Sequence, residues 1–299
     1  MEETAMSIGL SAESTIDLPQ DWLDKIGISI VHFHVQKGKE EGADNLFRTD
    51  ELFEFTKKSK VMCHTSAVNV DELENHFAKL LKHYDYIIHF TISSAISSGY
   101  NNAMVASQNN NRIIVIDSHG TSGQIALQAI YARELIDAGY PIEEVLANVL
   151  ERRPYCSCSF QLDTLEYLYR GGRCNMLSMI GANLLRIKPE IVCVEKENGK
   201  FSIGKKFRGN TKRCTLAYVD DIISSHPNID PKIAFINYSY FEDPSILEEA
   251  KLKVLGYGFK EVVVTQASPT NGYHAGPNVL GVQFYFDGPH EVTPYLPKH

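Results

Sequence analysis

The sequence predicts an α/β fold of two domains. The first is a mostly parallel sheet flanked by helices, and the second a mixed sheet with helices. Three observations predict this. Apolar, β-branched runs alternate with helical patterns through the first half. Residues 112–118, Arg-Ile-Ile-Val-Ile-Asp-Ser, form a nearly continuous apolar run, as in a strand buried on both faces. Near residues 151–160 the texture changes, and strand-like pairs follow, one of them with Asn198-Gly199 at its turn. A length of 299 residues suits two domains, and the expected division is 1–158 and 159–299.

The elements follow in order. Residues 6–10 read as a strand that leaves into a polar turn and a helix opened by Pro19. Residues 28–35, β-branched and aromatic, read as a second strand. Residues 48–59 read as a helix capped by Thr49-Asp50. Residues 69–84 place Leu73, Phe77, Leu80 and Leu81 at helical spacing. Between those two helices lies the polar junction 61–69, with His64, Thr65 and Ser66 in a row. Residues 85–92 read as a strand, and the serine-rich loop after them turns into a helix. The helix of residues 122–139 ends at Gly139. In the second half, strands are expected at 156–162, 232–239, 261–268 and 280–287, a hairpin at 190–208, and helices near 211–225 and 243–257.

Composition narrows the function. A net charge of −8 argues against an extended nucleic-acid footprint. No apolar run approaches the roughly 20 residues of a membrane span. The acidic start, Met-Glu-Glu-Thr, is unlike a signal peptide, so a cytoplasmic protein without stable membrane insertion is expected. None of the six cysteines forms a C-x-x-C pair. They read as reduced, small apolar side chains, and no metal site is expected.

Three polar clusters stand out: Thr65-Ser66, the loop holding Ser93, Ser94, Ser97, Ser98 and Gly99, and the stretch 270–278 around His274. Hydroxyls cap helices and make turns routinely. Four serines and a glycine in one strand-to-helix loop exceed what one cap needs, and point to a bound anion or polar head group. Ser97 or Ser98 with His274 and Asp117 supplies the residue types of a hydrolytic triad. The G-x-S-x-G elbow is absent, however. Phosphate-loop patterns are absent too. The basic run 205–213 reads as a solvated hairpin end or a docking patch for an acidic partner.

Taken together, the motifs resemble the DegV family of bacterial fatty-acid-binding proteins, over about residues 6 to 287. Ser-Thr-Ile-Asp-Leu-Pro (14–19) resembles the family's N-terminal Asp-Ser-Thr-x-Asp-Leu-Pro, and His-Thr-Ser-Ala-Val-Asn (64–69) its Thr-Ser-Gln-Pro motif. Residues 92–103 resemble its serine loop, 115–118 match directly, and 184–200 fit in spacing. Thr-Leu-Glu-Tyr-Leu-Tyr-Arg-Gly-Gly-Arg-Cys (164–174) is the most specific stretch. His-Ala-Gly-Pro-Asn (274–278) resembles His-x-Gly-Pro-Gly.

The resemblance implies a long-chain fatty acid buried between two domains, with no other cofactor. It implies that the carboxylate is held by Thr65, Ser97, Arg173 and His274, with Ser66, Ser94 and Ser98 as secondary candidates. It also implies a carrier that presents the acid to a separate fatty acid kinase and has no catalytic machinery of its own. The alternative is a serine-dependent acyl hydrolase using Ser97 and His274. The chain departs from the pattern at Glu13, Ala67, Val68, Ser98, Gly99 and Asn278. Hydroxyls suit a buried carboxylate because they avoid a costly buried ion pair. The tail needs an enclosed apolar channel, with Met62, Ile92, Ile96 and Leu280 as candidates for its wall.

Overall fold

The computed structural model describes residues 6–173 and 187–296. Cys174 and residues 184–186, parts of two motif stretches, lie outside the described residues. The first half runs β1 (Ile8–Glu13), α1 (Gln20–Ile26), β2 (Ile28–Val31), β3 (His34–Lys37), β4 (Glu40–Ala43), α2 (Thr49–Ser59), β5 (His64–Ser66), α3 (Val70–Leu80), β6 (Tyr86–Thr91), α4 (Gly99–Ser107), β7 (Ile113–Asp117), α5 (Gly123–Asp137) and α6 (Ile142–Arg152). One sheet has the order β2-β1-β6-β7, all parallel. Every residue of β1 is buried, the polar Ser11 and Glu13 included. Asn69 opens α3 with a capping box: its side chain accepts from the Glu72 N–H at 2.9 Å, and Glu72 Oε2 accepts from the Asn69 N–H at 3.2 Å.

The second half runs β8 (Ser159–Gln161), α7 (Glu166–Arg170), β9 (Lys188–Val194), β10 (Lys200–Phe207), α8 (Thr211–Ser224), β11 (Ile233–Tyr238), α9 (Ser245–Gly256), β12 (Glu261–Gln266), α10 (Pro269–Ala275) and β13 (Leu280–Gln283). Its sheet has the order β10-β9-β8-β13-β11-β12. β11 and β12 are parallel and the other pairs antiparallel. Asn198 and Gly199 take φ of 52° and 77° at the expected turn.

α5 joins the halves. It is buried along most of its length and touches β1 and β6 of the first half and β11 and β13 of the second. Trp22 and Phe235 meet edge-to-face, 6.0 Å between centroids, so the main core draws on both halves. Among the described residues no helix is long and apolar enough to cross a membrane.

The sequence reading differs from the structure in four places. The strand expected at 28–35 is two strands: β2 pairs with β1, and β3 turns away to pair with β4 and β5. Between them Phe33 is buried and its N–H donates to Ser14 Oγ at 3.1 Å. The polar junction 61–69 contains β5, an edge strand whose Thr65 lies opposite Val35. At α2 the cap position is Arg48, with no side-chain cap; Thr49 is the first helical residue, buried against Gly272 of α10. The stretch around His274 is helix α10, opened by Ser268 and Pro269. β4 and α6 add elements that the sequence reading lacked.

Candidate functional site

β1, β6 and β7 run parallel, so the loops leaving Glu13, Thr91 and Asp117 gather at one end of the sheet. There a cavity of about 770 Å³, its mouth included, opens between the two halves. Ile92, Ile96, Phe160, Leu168, Phe201 and Val279 give it apolar walls. Thr65, Ser97, Arg173 and His274 all line it.

Each polar group is positioned by neighbours. The Tyr273 hydroxyl, fully buried, accepts the Cys63 N–H at 2.9 Å and lies 2.7 Å from Thr56 Oγ1. That clamps the start of the β5 segment to α10. The next residue on α10, His274, places Nε2 2.7 Å from Thr65 Oγ1. Burial pushes the His274 imidazole down to about 3, and the nearby Arg173 and His64 add to the effect.

The Gly-Gly-Arg motif now has a physical reading. A Cβ at Gly171 would stand 2.5 Å from His274 Nδ1, so this glycine makes room for the imidazole. Gly172 takes φ +75°, a left-handed conformation that glycine favours. Arg173 then folds back and donates from Nη1 to the Gly171 carbonyl at 2.7 Å.

The serine loop divides its labour. Ser97 lines the cavity, and its Oγ accepts the Gly99 N–H at 3.2 Å. Ser93 is buried and donates to the Asn198 carbonyl of the β9–β10 turn at 2.6 Å. The Ser94 N–H donates to Asp117. Ser66 and Ser98 are exposed and Ser94 half-buried; none of the three lines the cavity. Of the expected wall residues, Ile92 and Ile96 line it. Leu280 is fully buried in the core of the second half, and Met62 sits against Tyr273 with its sulfur 3.4 Å from the hydroxyl.

The triad of the hydrolase alternative is not assembled. His274 Nε2 faces Thr65, and Asp117 accepts from the N–H groups of Ser94 and His119. In the basic run, Lys205 pairs with Asp221, and Lys212 with Glu249 at 2.5 Å.

Sequence reasoning missed several polar residues around the cavity. Asp17 is buried and ties the halves together: it accepts from the Ser122 hydroxyl, from the Ser268 N–H at 2.7 Å and from Asn271 Nδ2 at 2.8 Å. Burial raises its carboxyl to about 6. Glu13 is buried as well, raised to about 8 by burial, with Asp117 contributing; its Oε2 accepts the Ile92 N–H at 2.9 Å. Thr121, Asn237 and Gln283 also line the cavity. The available signal was the run of polar residues at 14–17 and 268–271, where two loops had to meet.

A family model described as "Uncharacterised protein, DegV family" matches residues 7–287. A protein of Thermotoga maritima named "Fatty acid-binding protein" is 27% identical over 285 residues, covering 92% of this chain and 96% of its own. The structure described as "Fatty Acid Binding of a DegV family Protein from Thermus thermophilus" matches with a TM-score of 0.86 at 25% identity, covering 94% of this chain and 100% of that one. The Streptococcus pneumoniae Fatty Acid Kinase (Fak) B3 protein, loaded with linoleic acid, shares the fold: TM-score 0.79, 18% identity, 94% of this chain and 100% of that one.

Proposed function

The chain belongs to the DegV family, and from that membership we propose that its cavity binds a long-chain fatty acid, with the carboxylate toward Thr65, Ser97, Arg173 and His274. The proposal takes the chain as two domains, 1–158 and 159–299, with the lipid between them. The observation that carries it is the Thr65–His274 pair, 2.7 Å apart at an apolar-walled cavity.

The chemistry runs through the tautomer. His274 is neutral at physiological pH, because burial holds its titration near 3. With its proton on Nε2, the ring donates to Thr65 Oγ1. The Thr65 hydroxyl proton is then free for a ligand oxygen. Nδ1 is left as a bare acceptor, and it has no hydrogen-bond partner among the described residues. Arg173 adds positive charge at the same end, so the carboxylate meets hydroxyl donors and one cation. The tail supplies most of the affinity. At about 0.8 kcal/mol per methylene, a dozen methylenes contribute on the order of 10 kcal/mol before binding costs.

In this reading the protein is a cytoplasmic carrier. It holds the acid for a separate fatty acid kinase, which phosphorylates the carboxylate, and supplies no catalytic group itself. The Thr65-facing His274 supports a carrier over an acyl hydrolase. Titration of delipidated protein with oleate tests the site. Thr65→Val with Ser97→Ala is expected to weaken binding at least about tenfold with an unchanged melting temperature. Wild-type affinity in that double variant would refute the assignment.

A further inference from the structure

We propose that the acid bound here carries a hydroxyl group on its alkyl chain. This rests on the fatty-acid reading above. A channel for a plain tail needs polarity only at its carboxylate end. This cavity has a second polar group, at the start of α5 and on the neighbouring strands β11 and β13.

Thr121, Asn237 and Gln283 line the cavity and are only 9%, 6% and 2% exposed. Thr121 Oγ1, Asn237 Nδ2 and Gln283 Oε1 have no hydrogen-bond partner among the described residues. The three converge. Phe235 lies opposite Gln283 in the β11–β13 ladder, so Asn237 is its diagonal neighbour on the same face. A Cβ at Gly123 would stand 2.6 Å from Asn237 Oδ1 and 2.8 Å from Gln283 Oε1, and Thr121 lies two residues before that glycine.

The amides are fixed in orientation. Asn237 Oδ1 accepts the Gly123 N–H at 3.0 Å, which leaves Nδ2 as the unused donor. Gln283 Nε2 points to the Ser159 carbonyl at 3.4 Å, which leaves Oε1 as the unused acceptor. Nor are these slack ends of the Asp17 network. Asn271 Nδ2 is committed to Asp17 and to the Thr15 carbonyl, and the Ser122 hydroxyl to Asp17.

One donor, one acceptor and one hydroxyl, each unused and each on a residue that lines the same cavity, match a single kind of ligand group. An alcohol donates to Gln283 Oε1 and accepts from Asn237 Nδ2 at once, with Thr121 beside it. A keto oxygen satisfies only the donor, and an alkene neither. A saturated tail offers none of the three a partner, whereas each hydrogen bond that a hydroxyl makes there strengthens binding on the order of tenfold.

The test is calorimetric titration of the delipidated full chain with stearate and with a positional series of monohydroxystearates. At least one isomer is expected to bind about tenfold or more tighter than stearate. Thr121→Val and Gln283→Leu, each checked for folding by its melting temperature, are expected to erase that preference. If stearate binds and no isomer binds more tightly, the inference is overturned, and solvent rather than ligand satisfies these groups. If no acid binds at all, stearate included, the fatty-acid reading fails and this inference with it.

Discussion

A methyl group on residue 99 would stand 2.1 Å from Glu13 Oε1, so Gly99 and Glu13 occupy one shared space. Both positions depart from the family pattern that the motifs resemble. The longer acid at 13 reaches the Ile92 N–H at 2.9 Å, and the glycine at 99 leaves it room. The two positions are therefore sterically coupled. Gly99→Ala is expected to destabilise the protein by about 1–3 kcal/mol through overpacking. Adding Glu13→Asp is expected to recover part of that loss. Urea unfolding of the two single variants and the double variant reads the coupling, and strictly additive effects would dissolve the pair.

Glu13 also sets a pH dependence. The native protein keeps this proton to about pH 8, whereas the unfolded chain releases it near 4.5. Between those values the native state holds the extra proton, so stability is full below about 4.5 and falls as pH rises to about 8. Glu13→Gln is expected to flatten this limb, and its advantage over wild type grows by more than about 1 kcal/mol across the window. Two imidazoles, fully buried His89 and half-buried His76, act in the opposite sense. His76 and His89 are held at about 4 and about 3 by burial. The unfolded chain takes those protons below about 6.5, so stability is lost as pH falls from there. Urea midpoints across pH, for wild type and Glu13→Gln, check both limbs.

Tyr273 couples the fold to the site. Its hydroxyl satisfies the Cys63 N–H and Thr56 inside the protein. Tyr273→Phe keeps the ring and removes the clamp. A loss of about 1–3 kcal/mol is expected in chemical unfolding, with severalfold weaker oleate binding because Thr65 lies two residues beyond Cys63. Unchanged affinity would show that β5 holds Thr65 without this clamp.

Gly171 is expected to matter through space alone. Gly171→Ala places a methyl group against His274 Nδ1, so the imidazole must move off Thr65. Oleate affinity is expected to fall about tenfold, with the melting temperature little changed. Histidine NMR shifts of the variant would report the displacement directly.

Much of this was legible in the sequence because the strands of the first sheet are largely apolar, with the inner pair β1 and β6 buried on both faces. Their apolar runs have no competing signal, and the loops after them announce themselves by hydroxyls. The small sheet was not legible. His64, Thr65 and Ser66 carry no strand pattern of their own, and β5 exists because β3 offers it an open edge. The helical state of His274 was hidden behind its glycines, although Ser268-Pro269 is a helix-start signal. Thr65 and His274 were visible as separate motifs, but their contact depends on Tyr273 and Gly171. Asn237 and Gln283 were invisible as site residues: polar side chains in strands ordinarily face water, and only the pairing of β11 with β13 turns both inward.

The most direct measurement is mass spectrometry of lipid extracted from freshly purified protein. About one long-chain fatty acid per chain is expected, and markedly less from the Thr65→Val, Ser97→Ala variant. No retained acid, together with no uptake of added oleate or stearate, would contradict the account.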